Sequence, residues 1–350
     1  MPEKILLCIA GSGTTGQPRT AMLSRRALAW SVNAINERLG LHASDVWLNC
    51  LPLNHIGGAS IVLRCVAARA TMVLHERFDP ASIHRDLVVR RVTHISLVPA
   101  MLERILDVSN SRPPPGSLRV VLVGGGPLSR PLAERAVAAG WPLYVSWGMT
   151  ETASAVTIAK VDESNWIPGY VGRPLAGSRL EIIAPTGGET TGVGRIAIKG
   201  PCIMSGYAAP HTECRPRPVP RRFVSGDLGY LDSRGALHIA GRSDDTLVTG
   251  GENVHPARIE SRLAECPGVR DIAVSAVDDP VWGERLVAVF TGTVSVGSLE
   301  DWSRQRLSGA QRPRGYIKVR RLPRNALGKL DRGRIRRNLP GWVSAANFPS

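Results

Sequence analysis

The chain has 350 residues, 43% hydrophobic and 21% charged, the balance of a globular protein with one large domain or two ordinary ones. The net charge is +15, but of the 44 basic residues five are Lys and 39 are Arg, dispersed along the chain, and aromatics make up only 5%. A nucleic-acid binder concentrates charge on one element beside stacking rings, so small polyanions are the expected partners and nucleic acid is not. No apolar run of about 18 residues occurs, so no membrane span is expected. The start MPEKILLCIA leads into glycines, not a cleavage site, so a signal peptide is not expected either. Six scattered cysteines without a CxxC pair argue against a disulfide framework or zinc site and suit a reduced, cytoplasmic setting.

Residues 4–150 alternate short apolar runs with amphipathic stretches. Strands are predicted at Ile5–Ala10, Val46–Leu51, Thr71–Leu74, His94–Val98, Val120–Val123 and Leu143–Ser146. Helices are predicted at Ser24–Arg38, Gly57–Ala70, Pro99–Val108 and Ser129–Ala139. That alternation predicts βαβ units around a parallel sheet. Residues 153–240, rich in Gly and Pro with β-like runs at Leu180–Ile183, Gly194–Ile198 and Ala236–Ala240, predict an antiparallel region. Beyond Arg242 a small α+β unit is predicted: helices at Pro256–Cys266 and Leu299–Leu307, strands at Val269–Val277 and Leu286–Phe290, and a last helical turn at Asp331–Arg337. The expected fold class is α/β: a large domain over 1–242, with mostly parallel sheets plus a β-rich subdomain, then a small mobile α+β domain over 243–350.

Gly11 to Arg19 (GSGTTGQPR) reads as a Gly-rich loop between a strand and a helix. Glycines let backbone approach phosphate oxygens, and hydroxyls add donors. The segment matches the dinucleotide pattern GxGxxG literally, without a well-placed acidic partner. It fails the P-loop pattern, because Gln17-Pro18 stands where Lys and Ser/Thr are required. A Ser/Thr/Gly-rich phosphate loop of another kind, or a plain turn, stays open on this segment alone.

Further motifs follow: Trp147-Gly148-Met149-Thr150-Glu151, Gly226-Asp227, Gly241-Arg242-Ser243-Asp244-Asp245, Gly250-Gly251-Glu252-Asn253-Val254 and Pro323–Lys329 (PRNALGK). Their order and spacing resemble the adenylate-forming (AMP-binding) superfamily of acyl- and aryl-CoA ligases, luciferases and adenylation domains. Within it the likeness is closest to the o-succinylbenzoate–CoA ligases of menaquinone and phylloquinone synthesis. Trp47–Gly58 (WLNCLPLNHIGG), Thr93–Pro99 (THISLVP) and Leu118–Pro127 (LRVVLVGGGP) carry that likeness.

The resemblance implies a two-step ligase. A carboxylate attacks the α-phosphate of ATP and pyrophosphate leaves; the thiol of coenzyme A then attacks the acyl-adenylate and AMP leaves. Such chemistry is positioning and charge stabilisation rather than nucleophilic catalysis by a side chain. The resemblance places the β- and γ-phosphates on Ser12, Gly13, Thr14, Thr15 and Gly16. It sets Thr150 at the α-phosphate and makes Glu151 the Mg²⁺ ligand. Gly124, Gly125, Gly126, Pro127 and Trp147 would frame the adenine, with Gly148 and Met149 in the same segment. Asp227 would accept from the ribose hydroxyls, with Arg242 nearby. Lys329, preceded by Gly328, would be the catalytic lysine of the first step. Asp244 would be the hinge of a rotating small domain. Gly250, Gly251, Glu252 and Asn253 would line the thiol tunnel. His55 would stand at the mouth of an acyl pocket lined by residues 56–60, 96–99 and 146–154. A second carboxylate, as in o-succinylbenzoate, needs a cationic or hydroxyl partner, for which Arg64 and Arg104 are candidates. Taken singly, Asp227 reads as a turn residue, Lys329 as a solvated lysine, His55 as a core residue and Glu151 as a surface acid.

Three departures accompany the resemblance. Relatives carry a substantial stretch before the phosphate loop, so an N-terminal subdomain is expected to be absent and apolar surface exposed. A fragment, a split enzyme, a mis-called start and a decayed gene stay open. Arg19-Thr20 stands where Lys-Gly is usual, keeping the charge but not its geometry. Trp147 replaces the usual Tyr. Alternatives to the o-succinylbenzoate ligase are another acyl- or aryl-CoA synthetase, an adenylation domain loading a carrier protein, and a non-catalytic nucleotide-binding remnant. A homodimer is left open.

Overall fold

The computed structural model describes residues 4–11, 19–162, 166–184, 187–208, 222–307, 309–325 and 328–345. The chain divides into two compact units, one of Met1–Leu128 with Leu132–Ile239, the other of Ala240–Ser350 with Ser129–Pro131.

The first unit opens with β1 (Ile5–Gly11) and β2 (Arg19–Ser24), then α1 (Arg25–Leu39), β3 (Val46–Asn49), α2 (Ile56–Ala68), β4 (Thr71–Leu74), α3 (Pro80–Val89), β5 (His94–Leu97), α4 (Pro99–Val108), β6 (Val120–Val123), α5 (Arg130–Ala138), β7 (Leu143–Met149) and β8 (Ser154–Lys160). The six-stranded sheet has the order β4-β3-β5-β6-β7-β8. Its first five strands are parallel, as the alternation predicts, and β8 is antiparallel to β7. Strands β5 and β6 are buried at every position, as strands covered on both faces must be. Trp47 packs with residues of α1 and α2, and its neighbour Leu48 packs with residues of α3, α4 and α5, because successive side chains leave opposite faces. The helices carry their own stop and start signals. Ser24 caps α1 by accepting from Ala27 N–H at 3.2 Å, Gly40 closes it at φ 63°, and Asp79 with Pro80 starts α3.

Two expectations are corrected in this unit. β1 does not join the parallel sheet: it pairs antiparallel with β2, in a separate sheet that β12 (Tyr207–Ala208) completes. The Gly-rich segment therefore leads into a strand, not directly into a helix. β1 alternates partly exposed and exposed positions, a pattern of one-sided burial that a doubly covered strand cannot have. The helix α3 was missed, its apolar positions being only Ile83 and Leu87 at full burial.

The antiparallel region holds β9 (Tyr170–Gly172), β10 (Arg179–Ile183), β11 (Gly194–Lys199), β13 (Phe223–Leu231) and β14 (Leu237–Arg242), in the sheet order β10-β11-β13-β14-β9.

The second unit contains β15 (Leu247–Thr249), β16 (Glu252–Val254), α6 (Pro256–Leu263), β17 (Val269–Asp279), β18 (Gly283–Gly292), α7 (Val296–Arg306), β19 (Gly315–Lys318) and α8 (Arg332–Ala345). Along β17, Ile272, Val274 and Ala276 face the cluster that takes α6 and α7; Ala273 faces the one that takes α8. The last helix is twice the expected turn: it runs on through Pro340, because Leu339 is fully buried against that sheet face and Trp342 packs there too.

Candidate active site

In an open parallel sheet the ligand crevice lies beyond the carboxyl ends of the strands, where the strand order reverses. Here the chain goes from β3 outward to β4 and returns to β5 on the other side, so the reversal falls between β3 and β5. The segments leaving those carboxyl ends carry the motifs: residues 50–55 after β3, Val98-Pro99 after β5, Gly124–Pro127 after β6 and Thr150–Thr152 after β7.

His55 lies just before α2 in extended conformation, half-buried, with its N–H donating to Pro52 O at 3.2 Å. Gly58 allows this turn, since a Cβ there would sit 2.4 Å from Pro52 O. Gly125 adopts φ 75°, and a Cβ at Gly124 would come within 2.7 Å of Ser146 Oγ on β7. Gly125, Gly126 and Pro127 are exposed.

The β7–β8 connection is tight. Thr150–Thr152 forms a single 3-10 turn, and Thr152 Oγ1 accepts from Met149 N–H at 3.0 Å. Ala153 and Ser154 then take φ 54° and 114°, left-handed values that cost non-glycine residues strain and mark constrained sites. Glu151 projects from this turn, and Tyr207 on β12 donates its hydroxyl to Glu151 Oε1 at 2.6 Å. Burial, then the Glu151 carboxylate, push the Tyr207 phenol well up, so it stays a donor. Arg19 on β2 lies 5.4 Å over the Tyr207 ring. The Ser12–Gly16 assignments lie outside the described residues; their flanks, Gly11 and Arg19, pair across β1 and β2.

Trp147 is 8% exposed and packs among Val156, Leu180, Ile196 and Leu237. Its indole N–H donates to Asp227 Oδ2 at 2.7 Å, so the structure brings two predicted nucleotide residues together. The bond is charge-assisted and fixes the plane of the indole.

Of the two candidate arginines, the structure separates them. Arg104 is exposed and lies 5.0 Å over the Phe78 ring. Arg64 is 2% exposed, donates to Ser154 Oγ at 2.8 Å, and sits 5.5 Å over Trp47. Burial lowers its pKa to about 10, which leaves it charged at neutral pH. Its Nε has no hydrogen-bond partner among the described residues, nor does the hydroxyl of buried Ser96 on β5.

The remaining predicted residues belong to the second unit. Arg242 donates to Asp244 Oδ2 at 3.4 Å ahead of the turn Ser243–Asp245. Gly250 and Gly251, at φ 57° and 80°, form the two-residue turn of the β15–β16 hairpin, and Gly250 through Asn253 are exposed. Lys329 lies in a loop closed on itself: its N–H donates to Asn325 Oδ1 at 3.1 Å, and Asn325 N–H donates to Lys329 O at 2.9 Å.

Mg²⁺ binds through few protein carboxylates and keeps waters and substrate oxygens. Glu151, with one oxygen on Tyr207, fits that mode, and no cluster of three metal-ligating side chains occurs among the described residues. No described helix is long and apolar enough to cross a membrane. Sequence reasoning missed Tyr207, the bond between Arg64 and Ser154, and the buried character of Arg64. None carries a local signal, since each acquires its partner from another element.

Residues 2–208 match the AMP-binding enzyme family, and residues 258–329 match the AMP-binding enzyme C-terminal domain. The chain is 34% identical over 335 residues to the 2-succinylbenzoate–CoA ligase of Bacillus cytotoxicus, covering 94% of this chain and 69% of that one. It is 34% identical to the 2-succinylbenzoate–CoA ligase of Bacillus subtilis (strain 168), with 93% and 67% covered. The solved structure of Bacillus subtilis o-succinylbenzoate CoA synthetase in complex with the acyl-adenylate intermediate OSB-AMP superposes with a TM-score of 0.83 at 33% identity, over 96% of this chain and 69% of that one. ATP-bound MatB from Rhodopseudomonas palustris superposes at 0.86 and 29% identity, over 97% and 69%.

Proposed function

The chain belongs to the AMP-binding enzyme family, and on that premise we propose that it is an ATP-dependent o-succinylbenzoate–CoA ligase working through an acyl-adenylate. ATP, Mg²⁺ and coenzyme A are its co-substrates and ion, as the similar synthetase solved with ATP and a magnesium ion supports. The observation that carries the choice of acid is Arg64. A buried, charged guanidinium with an unfilled donor is costly unless an anion completes it. A dicarboxylate supplies one carboxylate for reaction and a second for that donor; a fatty acid or benzoate does not. A reduced, cytoplasmic setting suits Cys50, Cys65, Cys202 and Cys266, which are buried free thiols.

In this reading Ser12–Gly16 hold the terminal phosphates and Thr150 the α-phosphate. Glu151, oriented by Tyr207, holds Mg²⁺, which neutralises phosphate charge when bound. Asp227, oriented by Trp147, takes the ribose, and Gly124–Pro127 border the adenine. His55 stands at the acyl pocket. Lys329 offsets charge developing between carboxylate and α-phosphate, with an effect on the order of 3–4 kcal/mol. The small domain, 243–350, turns about Asp244 to present Gly250–Asn253 for the thiol step.

The test is acid-dependent release of pyrophosphate from Mg·ATP, with and without coenzyme A. The acids are o-succinylbenzoate, benzoate, a medium-chain fatty acid and amino acids, and Lys329→Ala is the control. Release with o-succinylbenzoate alone, lost in the control, and a CoA-dependent thioester are expected. Release with benzoate or the fatty acid at equal efficiency refutes the choice of acid. ATP binding with no release from any acid favours a remnant.

A further inference from the structure

Lys329 is three residues before an arginine that the reaction as described does not use. Arg332 is the first residue of α8, directly after Asp331, which caps that helix by accepting from Arg334 N–H at 2.9 Å. Its guanidinium forms a two-pronged pair with Glu260 of α6: Nη1 to Oε1 at 2.8 Å and Nη2 to Oε2 at 2.8 Å. Its third nitrogen is also engaged, with Nε 3.1 Å from Asp245 Oδ2. Glu260 is 6% exposed and is held from the other side by Val274 N–H at 2.8 Å. Burial opposes the charge on Arg332, but Glu260 and then Asp245 overcome it and hold the guanidinium firmly protonated.

Asp245 belongs to the turn Ser243–Asp245, beside the hinge position Asp244. One rigid, planar side chain thus ties three segments of the second unit: the hinge turn, α6 and the start of α8 from which the Lys329 loop hangs. That loop is fastened at its other end by a matching device. Arg324 donates to Gly328 O at 2.6 Å and to Asp271 Oδ2 of β17 at 2.6 Å, and Asp331 N–H donates to Pro323 O at 2.9 Å. A lysine reaches its target on a flexible four-carbon stem, so the position of the backbone that carries it sets where the ammonium can go. Its accuracy comes from the backbone that carries it, and that backbone is clamped on both sides.

We propose that Arg332 is the positioning residue that locks the Lys329 loop to the hinge turn through Asp245, so that the two move as one piece. The fork to Glu260 anchors the guanidinium, and the bond to Asp245 transmits the setting of the hinge. A lysine in place of Arg332 could not reproduce both contacts, because the geometry uses all three nitrogens of the planar guanidinium.

This inference rests on the reading of Lys329 as the catalytic lysine of the first step. The test compares Arg332→Gln, Asp245→Asn, their double variant, Arg332→Lys and Lys329→Ala in the two half-reactions. These are pyrophosphate release from Mg·ATP and o-succinylbenzoate, and thioester formation from supplied acyl-adenylate and coenzyme A. Arg332→Gln and Asp245→Asn should each slow pyrophosphate release on the order of tenfold to a hundredfold at saturating ATP, with the KM for ATP unchanged. Thioester formation should fall by about threefold or less, the double variant should be no slower than the worse single one, and Arg332→Lys should recover only part. Arg332→Gln leaves Glu260 buried without its partner; if that variant does not fold, Asp245→Asn, which keeps the fork, decides alone. Equal losses in both half-reactions, or wild-type pyrophosphate release in Asp245→Asn while Lys329→Ala abolishes it, overturn the proposal. Wild-type release in Lys329→Ala would overturn the lysine reading itself, and the inference with it.

Discussion

Gly148→Ala probes the turn that presents Thr150 and Glu151. A Cβ at position 148 would lie 2.0 Å from Ser154 O, 2.6 Å from Ala155 Cα and 2.7 Å from Ser154 C. All three are backbone atoms of β8, so no change of rotamer relieves the clash. Ordinary contact begins at 3.4 Å, and β7 and β8 must part by about 1 Å or more to reach it. The ladder already has an irregularity between Trp147 and Gly148, and widening it shifts the residues that follow. Overpacking of this kind costs about 1–3 kcal/mol of stability. The larger effect is on chemistry, because a 1 Å displacement of positioned groups costs on the order of 10²-fold. Pyrophosphate release with o-succinylbenzoate and the thermal unfolding midpoint are measured side by side. Gly116→Ala, where an added Cβ meets nothing within 4 Å, is the control and should leave both at wild-type values. If Gly148→Ala releases pyrophosphate at the rate of that control, the turn does not position the reacting groups and the reasoning fails.

Trp147→Phe removes the 2.7 Å bond to Asp227, a loss of about 1.5–3 kcal/mol for a bond to a charged group; the KM for ATP should rise about tenfold or more, and an unchanged KM would detach Asp227 from the nucleotide. Tyr207→Phe leaves Glu151 Oε1 without its donor, so half-maximal activation should need several times more Mg²⁺, read by titrating the metal at saturating ATP. Burial lowers the pKa of His94 below the usual 6.5, while Leu39 O and Thr93 Oγ1 sit at its two ring nitrogens. Its neutral form is therefore the native one. The stability it contributes is complete above pH 6.5 and is lost as pH falls through the lowered folded value, because the unfolded chain takes up the proton first. The unfolding midpoint should drop more steeply below pH 6.5 in the wild type than in His94→Gln, and parallel curves would refute the assignment.

The parallel part of the sheet was legible because its evidence is local. Val120–Val123 is a run of four buried apolar residues, and the helices around it repeat their apolar residues at helical spacing. The proposed site residues were picked out as a series of motifs, since Trp147–Glu151, Gly226-Asp227 and Lys329 each stand in short, distinctive strings. Which strand β1 pairs with was not legible, because Ile5–Gly11 carries no mark of its partner and the choice is made by β2 and β12 together.

What the sequence by itself determined is the kind of elements, their order and the identity of the groups that carry charge and hydroxyls. These follow from residue type and periodicity within a dozen positions. What only the tertiary structure decided is which of those groups meet. Trp147 and Asp227 are 80 residues apart, Glu151 and Tyr207 are 56 apart, and Arg332 and Glu260 are 72 apart. Arg64 and Arg104 read alike in the chain, yet one is buried against Ser154 and the other lies in solvent over Phe78. Pairings of that range depend on strand register and helix packing, where a shift of one residue turns a side chain to the opposite face, and no local pattern records the outcome.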